Sequence, residues 1–373
     1  MAAPDAIIVG GGIMGCTVAL ELAERGMHPL VLERSVPGAE ASSAAAGILG
    51  PGVESHAGGL SLELGTRSRE RYATLAEKLR EVTGIDVGFR RCGVMIAALD
   101  DNEARALADR AAMLAGAGVN REVLDGTAAR EREPRLSPHA RAAIDLPEEA
   151  QIDPPLLLKA LALAAEKAGA RFHTGAYVDR VLIEGDRARG VLLDGERVEA
   201  DTVVVAAGSW TQLVGGLDLK VGTVRPVRGQ IVLAETRPPV FRRIVFGTGG
   251  YVVTRPDGRT LCGSTMENVG YEREVTLGGL EVVTRTAIRL APSLAGAPVR
   301  GYWSSFRPGT SDDLPLIGSA GPRGLWLATG HYRNGILLAP ITAALVSDMI
   351  TGRPPELDVA TLDPRRFAGK ASA

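Results

Sequence analysis

The sequence of 373 residues predicts a two-lobed α/β fold, in which a lobe built on a parallel sheet is interleaved with an α+β lobe built on an antiparallel sheet. Within residues 6–33 an apolar strand runs into a glycine-rich turn, a helix and a second strand. From 224 to 302, short alternating strands and hairpin turns replace this pattern. After Arg307 an apolar strand and a long apolar helix indicate that the chain returns to the first lobe.

The individual elements are predicted from apolar periodicity and turn residues. Helices are predicted at 60–82, 102–117, 156–168, 279–290 and 335–350. Strands are predicted at 6–9, 29–32, 171–183, 201–205, 251–254, 260–262 and 325–328. Pro154-Pro155 marks the start of the helix at 156–168, because proline is accepted in a first helical turn. Pro256-Asp257-Gly258 is predicted to form the turn of the clearest hairpin. The first lobe is predicted to comprise 1–90, 148–220 and 307–373, and the second 91–147 and 221–306.

Composition excludes several classes of function. The 42 Lys+Arg and 44 Asp+Glu residues give a net charge of -2, whereas a nucleic-acid surface draws on a basic excess. Cys16, Cys92 and Cys262 are far apart, so we expect reduced thiols in a cytoplasmic protein and no metal site. The richest apolar run, 156–165, is short and contains Lys159, so no membrane association is expected.

The glycine-rich turn has the spacing of a dinucleotide site. Gly10, Gly12 and Gly15 follow a strand and open a helix, and Glu33 ends the next strand. Glycines at these positions allow a pyrophosphate to approach the helix N-terminus, and the acidic residue accepts hydrogen bonds from ribose hydroxyls. The carboxylate of Glu33 would repel a 2′-phosphate, so NADP is disfavoured.

Three features favour FAD over NAD. The small residues 41–47 follow the second strand and allow backbone to lie against a flat ring. The strand 203–205 runs into small residues that end at Gly208, as the returning strand of a long, interrupted FAD domain would. Residues 330–335 precede the last helix, whose N-terminal partial positive charge would stabilise an anionic reduced flavin. The sequence therefore predicts a Rossmann-like FAD-binding lobe beside an antiparallel-sheet substrate lobe.

Motifs along nearly the whole chain resemble those of one flavoenzyme family. They are GGGIMG at 10–15, SAAAGIL at 43–49, YVVTR at 251–255, GSTM at 263–266, FRPGTSDDLPLIG at 306–318 and GHYRNGILLAPIT at 330–342. The chain resembles the D-amino-acid-oxidase-like family of FAD-dependent oxidoreductases, and within it the thiamine-pathway branch that contains the glycine oxidases. The last motif is specific to this branch, and the first is shared by dinucleotide-binding flavoproteins generally.

The resemblance implies noncovalent FAD, O2 as electron acceptor, and an imino acid and hydrogen peroxide as products. It implies that Arg307 binds the substrate carboxylate with help from Tyr251 and Arg333, and that Ile48 and Met266 border the substrate pocket. A small amino-acid substrate and a homo-oligomeric state are expected. The predicted FAD contacts are Gly10, Gly12, Ile13, Met14, Gly15, Glu33, Arg34, Ala41, Ser42, Ser43, Ala46, Gly47, Ile48, Val178, Gly208, His331, Tyr332, Arg333, Asn334, Gly335, Ile336 and Leu337.

Two departures from the family pattern leave the substrate open. Ile48 stands at a position where the glycine oxidases have a methionine near the flavin. Ser305-Phe306 stands before the arginine, where a Gly-Leu pair is more usual in the family. Glycine, sarcosine, N-alkyl glycines and D-amino acids all stay candidates.

Hydride transfer to flavin N5 needs no base if the amine is already neutral. The histidines accordingly show no triad-like spacing; they are His28, His56, His139, His173 and His331.

Other functions fit parts of the same pattern. A quinone-linked amino-acid dehydrogenase would use the same site with another acceptor. An oxidase of a carboxymethylaminomethyl group on tRNA shares the arginine motif, but a basic face or an attached methyltransferase domain would be expected. A non-catalytic FAD-binding assembly protein is the alternative from a different class, and the retention of Tyr251, Arg307 and Arg333 argues against it.

Overall fold

The structure, a computed structural model, describes residues 3–54 and 59–367, so His56 lies outside the described residues. The helices are α1 (Ile13–Glu24), α2 (Ala41–Ala44), α3 (Pro51–Glu54), α4 (Leu60–Thr83), α5 (Asp101–Gly116), α6 (Gly126–Arg132), α7 (Pro154–Lys167), α8 (Leu277–Leu290) and α9 (Gly335–Ile350). The strands are β1 (Ala6–Val9), β2 (Pro29–Glu33), β3 (Ile48–Leu49), β4 (Val94–Ala98), β5 (Glu122–Asp125), β6 (Ala142–Leu146), β7 (Ala150–Gln151), β8 (Arg171–Thr174), β9 (Val178–Glu184), β10 (Arg187–Leu193), β11 (Glu196–Glu199), β12 (Val203–Val205), β13 (Arg225–Glu235), β14 (Ile244–Gly247), β15 (Gly250–Thr254), β16 (Arg259–Gly263), β17 (Val299–Gly309), β18 (Leu316–Ser319) and β19 (Leu325–Thr329).

The first lobe is built on a six-stranded sheet in the order β18-β19-β12-β1-β2-β8. Its strands are parallel except β18, which is antiparallel to β19. The side chain of Ile8 packs into the cluster that includes α1, α7 and α9, and those of Ile7 and Val9 pack against the sheet β11-β10-β9. Burial on both faces explains why these strands are almost continuously apolar in sequence.

The second lobe is built on an eight-stranded sheet in the order β17-β13-β16-β15-β14-β4-β6-β5. Helix α8 packs against it through Val283, Ala287 and Leu290, which lie in one cluster with Val232 and Cys262. The strands of this sheet come from 94–146 and 225–309, so the chain leaves the first lobe and returns to it more than once. The α/β class with interleaved parallel and antiparallel sheets is confirmed. The residue boundaries of the two lobes stay a prediction.

Two sequence-based assignments were wrong. The predicted strand 171–183 is two strands in different sheets, because Gly175 adopts a φ of 72° and β9 then pairs with β10 instead of continuing beside β2. The Pro308-Gly309 pair that follows Arg307 predicts a loop there, but Arg307 lies within β17, where it pairs with Val227 of β13. The rigidity of Arg307 therefore comes from the sheet.

Candidate active site and cofactor cleft

A long cleft lies between the two large sheets and contains about 1780 Å³ of space not occupied by protein atoms, part of it open to solvent. One wall is formed where β1, β2, β12 and β19 end, which is the edge at which parallel α/β sheets bind ligands. The other wall comes from the antiparallel sheet, through residues of β13, β15 and β17. The cleft is therefore shared by both lobes.

The turn after β1 brings backbone close to backbone at the first end of the cleft. Gly10 has a φ of 106°, and a Cβ atom there would lie 2.7 Å from the carbonyl oxygen of Ala206. A Cβ atom at Gly15 would overlap the carbonyl oxygen of Gly10, so Gly15 serves helix–strand packing and does not line the cleft. The N–H of Ile13, at the start of α1, donates to Oγ of Ser42 at 2.9 Å. The predicted glycine pattern is thus explained by contacts in this turn.

Glu33 is held in place by the backbone on either side of it. Its Oε2 accepts from the N–H of Gly11 at 2.7 Å, and its Oε1 accepts from the N–H of Ser35 at 2.8 Å. The residue is buried, yet it borders the cleft, so free lone pairs on both oxygens can accept from ribose hydroxyls. The glycine turn, the start of α1, which lines the cleft, and this carboxylate together fit the adenosine and pyrophosphate parts of FAD.

We expect Glu33→Gln to weaken FAD binding by about tenfold, because a charge-assisted hydrogen bond contributes about 1.5 kcal/mol or more. The amide nitrogen of Gln would also face a backbone N–H, either that of Gly11 or that of Ser35. Titration of apoprotein with FAD, followed by flavin fluorescence, measures the change. Glu24→Gln, an exposed carboxylate on α1 paired with Lys78, is the matched control. Equal dissociation constants in the two variants would remove Glu33 from the cofactor site.

A cation–aromatic arrangement borders the same end of the cleft. The guanidinium of Arg34 lies 4.0 Å from the ring centroid of Trp210 and pairs with Glu40. Arg273 also pairs with Glu40, at 2.7 Å. Arg34 was predicted as a cofactor contact, whereas Trp210 and Glu40 were missed although they line the cleft. A tryptophan ring that is held against a guanidinium is a suitable wall for another aromatic group.

At the other end of the cleft, Arg307 presents a guanidinium without an acidic partner among the described residues. Its Nη1 donates to the carbonyl oxygen of Thr265 at 3.1 Å, and its Nη2 donates to Oγ of Ser264. These two bonds orient the guanidinium and leave other N–H groups for a ligand. Gly229 of β13 lies directly beneath it, and a Cβ atom there would be 2.6 Å from Cζ of Arg307. The charge is thus positioned but not neutralised by the protein.

Arg333, in contrast, has its charge compensated. Its Nε and Nη2 donate to the two carboxylate oxygens of Glu54, at 2.7 and 3.1 Å, and Nη1 lies 3.5 Å from Sδ of Met266. Burial lowers the pKa of Arg333 and Glu54 raises it, with a net increase. Glu54 was not anticipated from the sequence, and its presence reduces what Arg333 can contribute to carboxylate binding. Met266 itself is exposed and does not line the cleft.

Tyr251 lies on β15 of the antiparallel sheet and lines the same cleft as Arg307 and Arg333. Its hydroxyl hydrogen-bonds with Ser264, and its ring packs on Phe246 with centroids 5.4 Å apart. Burial raises the pKa of Tyr251, while the charge of Arg307 opposes that increase. The phenol is therefore neutral at physiological pH and can donate a hydrogen bond to a bound anion.

His331 borders the cleft but is bonded away from it. Its Nε2 lies 2.9 Å from Oγ1 of Thr342 on α9, and burial lowers its pKa to about 3. The ring is therefore neutral at physiological pH and cannot act as a protonated acid. Its contact with α9 supports a packing role.

The depressed pKa of His331 has a consequence for stability. Folding favours the neutral ring, so its contribution to stability is fully present above the unfolded pKa of about 6.5 and is lost as the pH falls toward 3. We expect the free energy of unfolding to fall below pH 6.5 more steeply than in His331→Gln, by up to about 1.4 kcal/mol per pH unit. Urea denaturation of FAD-saturated proteins at several pH values measures both slopes. Parallel slopes would contradict the assignment.

Most of the predicted site residues line this one cleft. They are Gly10, Gly12, Ile13, Met14, Glu33, Arg34, Ala41, Ser42, Ala46, Gly47, Ile48, Val178, Gly208, Tyr251, Arg307, His331, Tyr332, Arg333, Gly335 and Ile336. Their contacts with FAD and substrate stay predictions.

Besides Gly15 and Met266, three predicted residues lie away from the cleft. Ser43 is turned toward Gly38, where a Cβ atom would meet its hydroxyl oxygen at 2.8 Å. Leu337 is buried in the core of the first lobe, and Asn334 borders a separate small cavity beneath α9. Each lies within a matching motif, but helical geometry turns its side chain away from its cleft-lining neighbours.

No group of three or more metal-ligating side chains occurs in the part of the chain that the structure describes, and none of its helices is long and apolar enough to cross a membrane. Cys16, Cys92 and Cys262 are free thiols.

The fold and the cleft define a class of protein, the FAD-dependent oxidoreductases. Residues 5–349 match the family described as "DAO: FAD dependent oxidoreductase", and the chain belongs to this family. It is an enzyme that uses FAD, as the sequence predicts.

The chain is also similar to individual proteins of known name. The chain is 37% identical to the glycine oxidase of Geobacillus kaustophilus, over 98% of both chains. It is 35% identical to the bifunctional protein ThiO/ThiG of Synechocystis, over 97% of this chain but 54% of that protein. The crystal structure of glycine oxidase from Geobacillus kaustophilus matches with a TM-score of 0.94 and 35% identity, over 99% of this chain and 100% of the other. The predicted family resemblance is confirmed.

Proposed function

We propose that this enzyme oxidises glycine or a similarly small amino acid or N-alkyl glycine at its Cα–N bond, with O2 as the electron acceptor. The observation that carries the proposal is the guanidinium of Arg307, which faces the cleft without an acidic partner among the described residues. A carboxylate is the ligand that such a group binds most specifically, through two parallel hydrogen bonds. The glycine oxidases among the relatives support a small substrate.

The charges at this end favour a substrate with one carboxylate. Arg307 is available, whereas Arg333 is neutralised by Glu54. A second carboxylate on the substrate would meet Glu54 at the same place, which disfavours acidic amino acids. The hydroxyl of Tyr251 supplies a further donor beside Arg307, so the substrate carboxylate would be fixed in both position and rotation.

FAD, when bound, supplies the acceptor for the hydride that leaves the α-carbon. The residues of the chain then have to orient the substrate and exclude water. Ile48 and Ile231 supply apolar surface at this end, which keeps the amine in its neutral form. Among the described residues, His331 is the one histidine that lines the cleft, and it is bonded to Thr342. The site is therefore suited to orientation more than to proton abstraction.

A substrate panel tests this proposal. Glycine, sarcosine, longer N-alkyl glycines and small D-amino acids are each mixed anaerobically with the purified enzyme, and loss of flavin absorbance is recorded. We expect bleaching by the smallest members and weak or no bleaching by methylamine, which lacks the carboxylate. Hydrogen peroxide measured per turnover in air separates an oxidase from a quinone-linked dehydrogenase. If no amino acid bleaches the flavin, the proposed substrate class is wrong.

We also propose that FAD is noncovalently bound, that the enzyme is cytoplasmic and that it forms a homo-oligomer. Three free thiols support a reducing compartment. Leu277, Val299 and Tyr302 are exposed apolar side chains of the kind that a subunit interface covers. Acid precipitation, which releases noncovalent FAD into the supernatant, and light scattering, which measures the mass in solution, test the first and last of these proposals.

A further inference from the structure

Arg255 is a buried arginine directly behind the segment 46–48, which lines the cleft. It follows β15 and is 4% exposed. Its Nη2 donates to the carbonyl oxygen of Ala46 at 2.7 Å, and its Nη1 donates to Oε1 of Gln151 at 2.6 Å. A Cβ atom at Gly47 would lie 2.9 Å from Nη2, so backbone and guanidinium are in direct contact. One layer of backbone separates this cation from the cleft.

The charge of Arg255 has no acidic partner within ion-pair distance among the described residues. Asp153, the acidic residue with the largest influence on it, is paired with Arg259 at 2.6 Å. Nε of Arg255 also has no hydrogen-bond partner. Burial lowers the pKa of Arg255 to about 10, which still leaves it charged at neutral pH. Burying an unpaired charge is costly, so a neutral residue would be expected here if packing were its only purpose.

The Ala46–Gly47 peptide transmits this charge toward the cleft. In a trans peptide the C=O and the following N–H point in opposite directions. Because the carbonyl of Ala46 points at Arg255, the N–H of Gly47 points to the other side, and it has no acceptor among the described residues. A hydrogen bond to a cation at the carbonyl strengthens the donor at the other end of the same peptide.

The reactive ring of FAD would lie at this end of the cleft. Glu33 and the glycine turn would hold the adenosine end, and Arg307 and Tyr251, which line the same cleft, would hold the substrate. Ile48 packs in the same cluster as Tyr251. The segment 46–48 is therefore next to the place where substrate and ring must meet.

We propose that Arg255 is a positioning residue that holds segment 46–48 against the flavin ring and stabilises the negative charge that the ring gains on two-electron reduction. The proposal rests on the use of FAD and not on the identity of the substrate.

The test is the ratio of reduced to oxidised flavin in the holoenzyme, equilibrated with a redox dye at a fixed potential. We expect this ratio to fall at least about tenfold in Arg255→Gln, which corresponds to about 30 mV for a two-electron couple. Arg237→Gln is the matched control, since this substitution removes the same charge from a side chain that lies beside Gly258 of the hairpin turn and is 75% exposed. A ratio equal to that of the control would overturn the proposal.

A second variant leaves Arg255 in place. Gln151→Glu keeps the oxygen that accepts from Arg255 but adds a buried negative charge beside it. We expect the ratio to fall by at least about threefold at pH 8, and this variant decides the question if Arg255→Gln does not retain FAD. Arg255→Lys, which keeps the charge, should restore the ratio to within about threefold of the parent. An unchanged ratio in Gln151→Glu, or a loss in Arg255→Lys equal to that in Arg255→Gln, would leave only a structural role.

Discussion

Arg307→Ala is expected to lower kcat/KM for the best amino-acid substrate by about 10²–10³-fold or more, because removing one side of a hydrogen-bonded charge pair in a desolvated site costs about 2–5 kcal/mol. Arg307 lies on β17, and its guanidinium is oriented by Ser264 and Thr265. The substitution therefore removes the group that we propose binds the substrate carboxylate, without removing a support of the fold. FAD content should stay near that of the parent enzyme. Initial rates of substrate oxidation, normalised to flavin, measure the change.

The control for this variant lies on the same strand. Arg300→Ala removes an exposed arginine of β17 that pairs with Glu235, and it should leave kcat/KM unchanged. Oxidation of an amine without a carboxylate, if it can be detected, should suffer much less from Arg307→Ala than oxidation of the amino acid. Undiminished amino-acid oxidation in Arg307→Ala would remove the main support of the proposed function. Loss of FAD instead would make Arg307 a structural residue.

Gly229→Ala is expected to lower kcat/KM by about 10²-fold, since a displacement of about 1 Å in a positioning group can have an effect of that size. The new methyl group would overlap the guanidinium of Arg307 and push it out of its place. The substitution changes neither the charge nor the hydrogen-bonding groups of the site. A loss of activity would therefore report on the location of Arg307 alone.

Gly301→Ala is the matched control for this variant, because Gly301 lies on the adjacent strand β17 with no heavy atom within 4 Å of the added Cβ. Both variants should show thermal unfolding and FAD affinity close to those of the parent. If Gly229→Ala and Gly301→Ala have equal activity, the close contact between Gly229 and Arg307 is not needed for catalysis.

Local patterns were sufficient for much of the fold. The helices at 60–83, 277–290 and 335–350 were predicted to within about two residues, since each has a clear apolar stripe or an unbroken apolar run. The hairpin of β15 and β16 followed from its Pro-Asp-Gly turn. The strand predicted at 171–183 failed because both of its halves are strands, and nothing local shows that they belong to different sheets.

The candidate site was predictable where one motif carries the chemistry. The predicted role of Glu33 follows from the spacing of the glycine motif, whereas that of Arg307 is implied by the family resemblance of its motif. Glu54, Trp210 and Gly229 were missed because each is brought to the cleft by strand order or by contact with a distant segment. Gly229 in particular has no distinguishing neighbour in sequence, and only the pairing of β13 with β17 shows what it lies against.

The order of strands in the parallel sheet has a consequence for the way the chain is made. Ile7 of β1 pairs with Val203 of β12, and Val203 pairs with Leu325 of β19. One neighbour of β1, the strand β2, is close in sequence, but β12 comes from the middle of the chain and β12 itself needs β19 from near the end. The parallel sheet beneath the glycine turn cannot be completed during synthesis until β19, at Leu325–Thr329, has left the ribosome. Pairing at such separations makes folding slow, and early intermediates leave β1 and β12 with unpaired edges. Newly made chains are therefore most exposed to aggregation just before they become able to take up FAD.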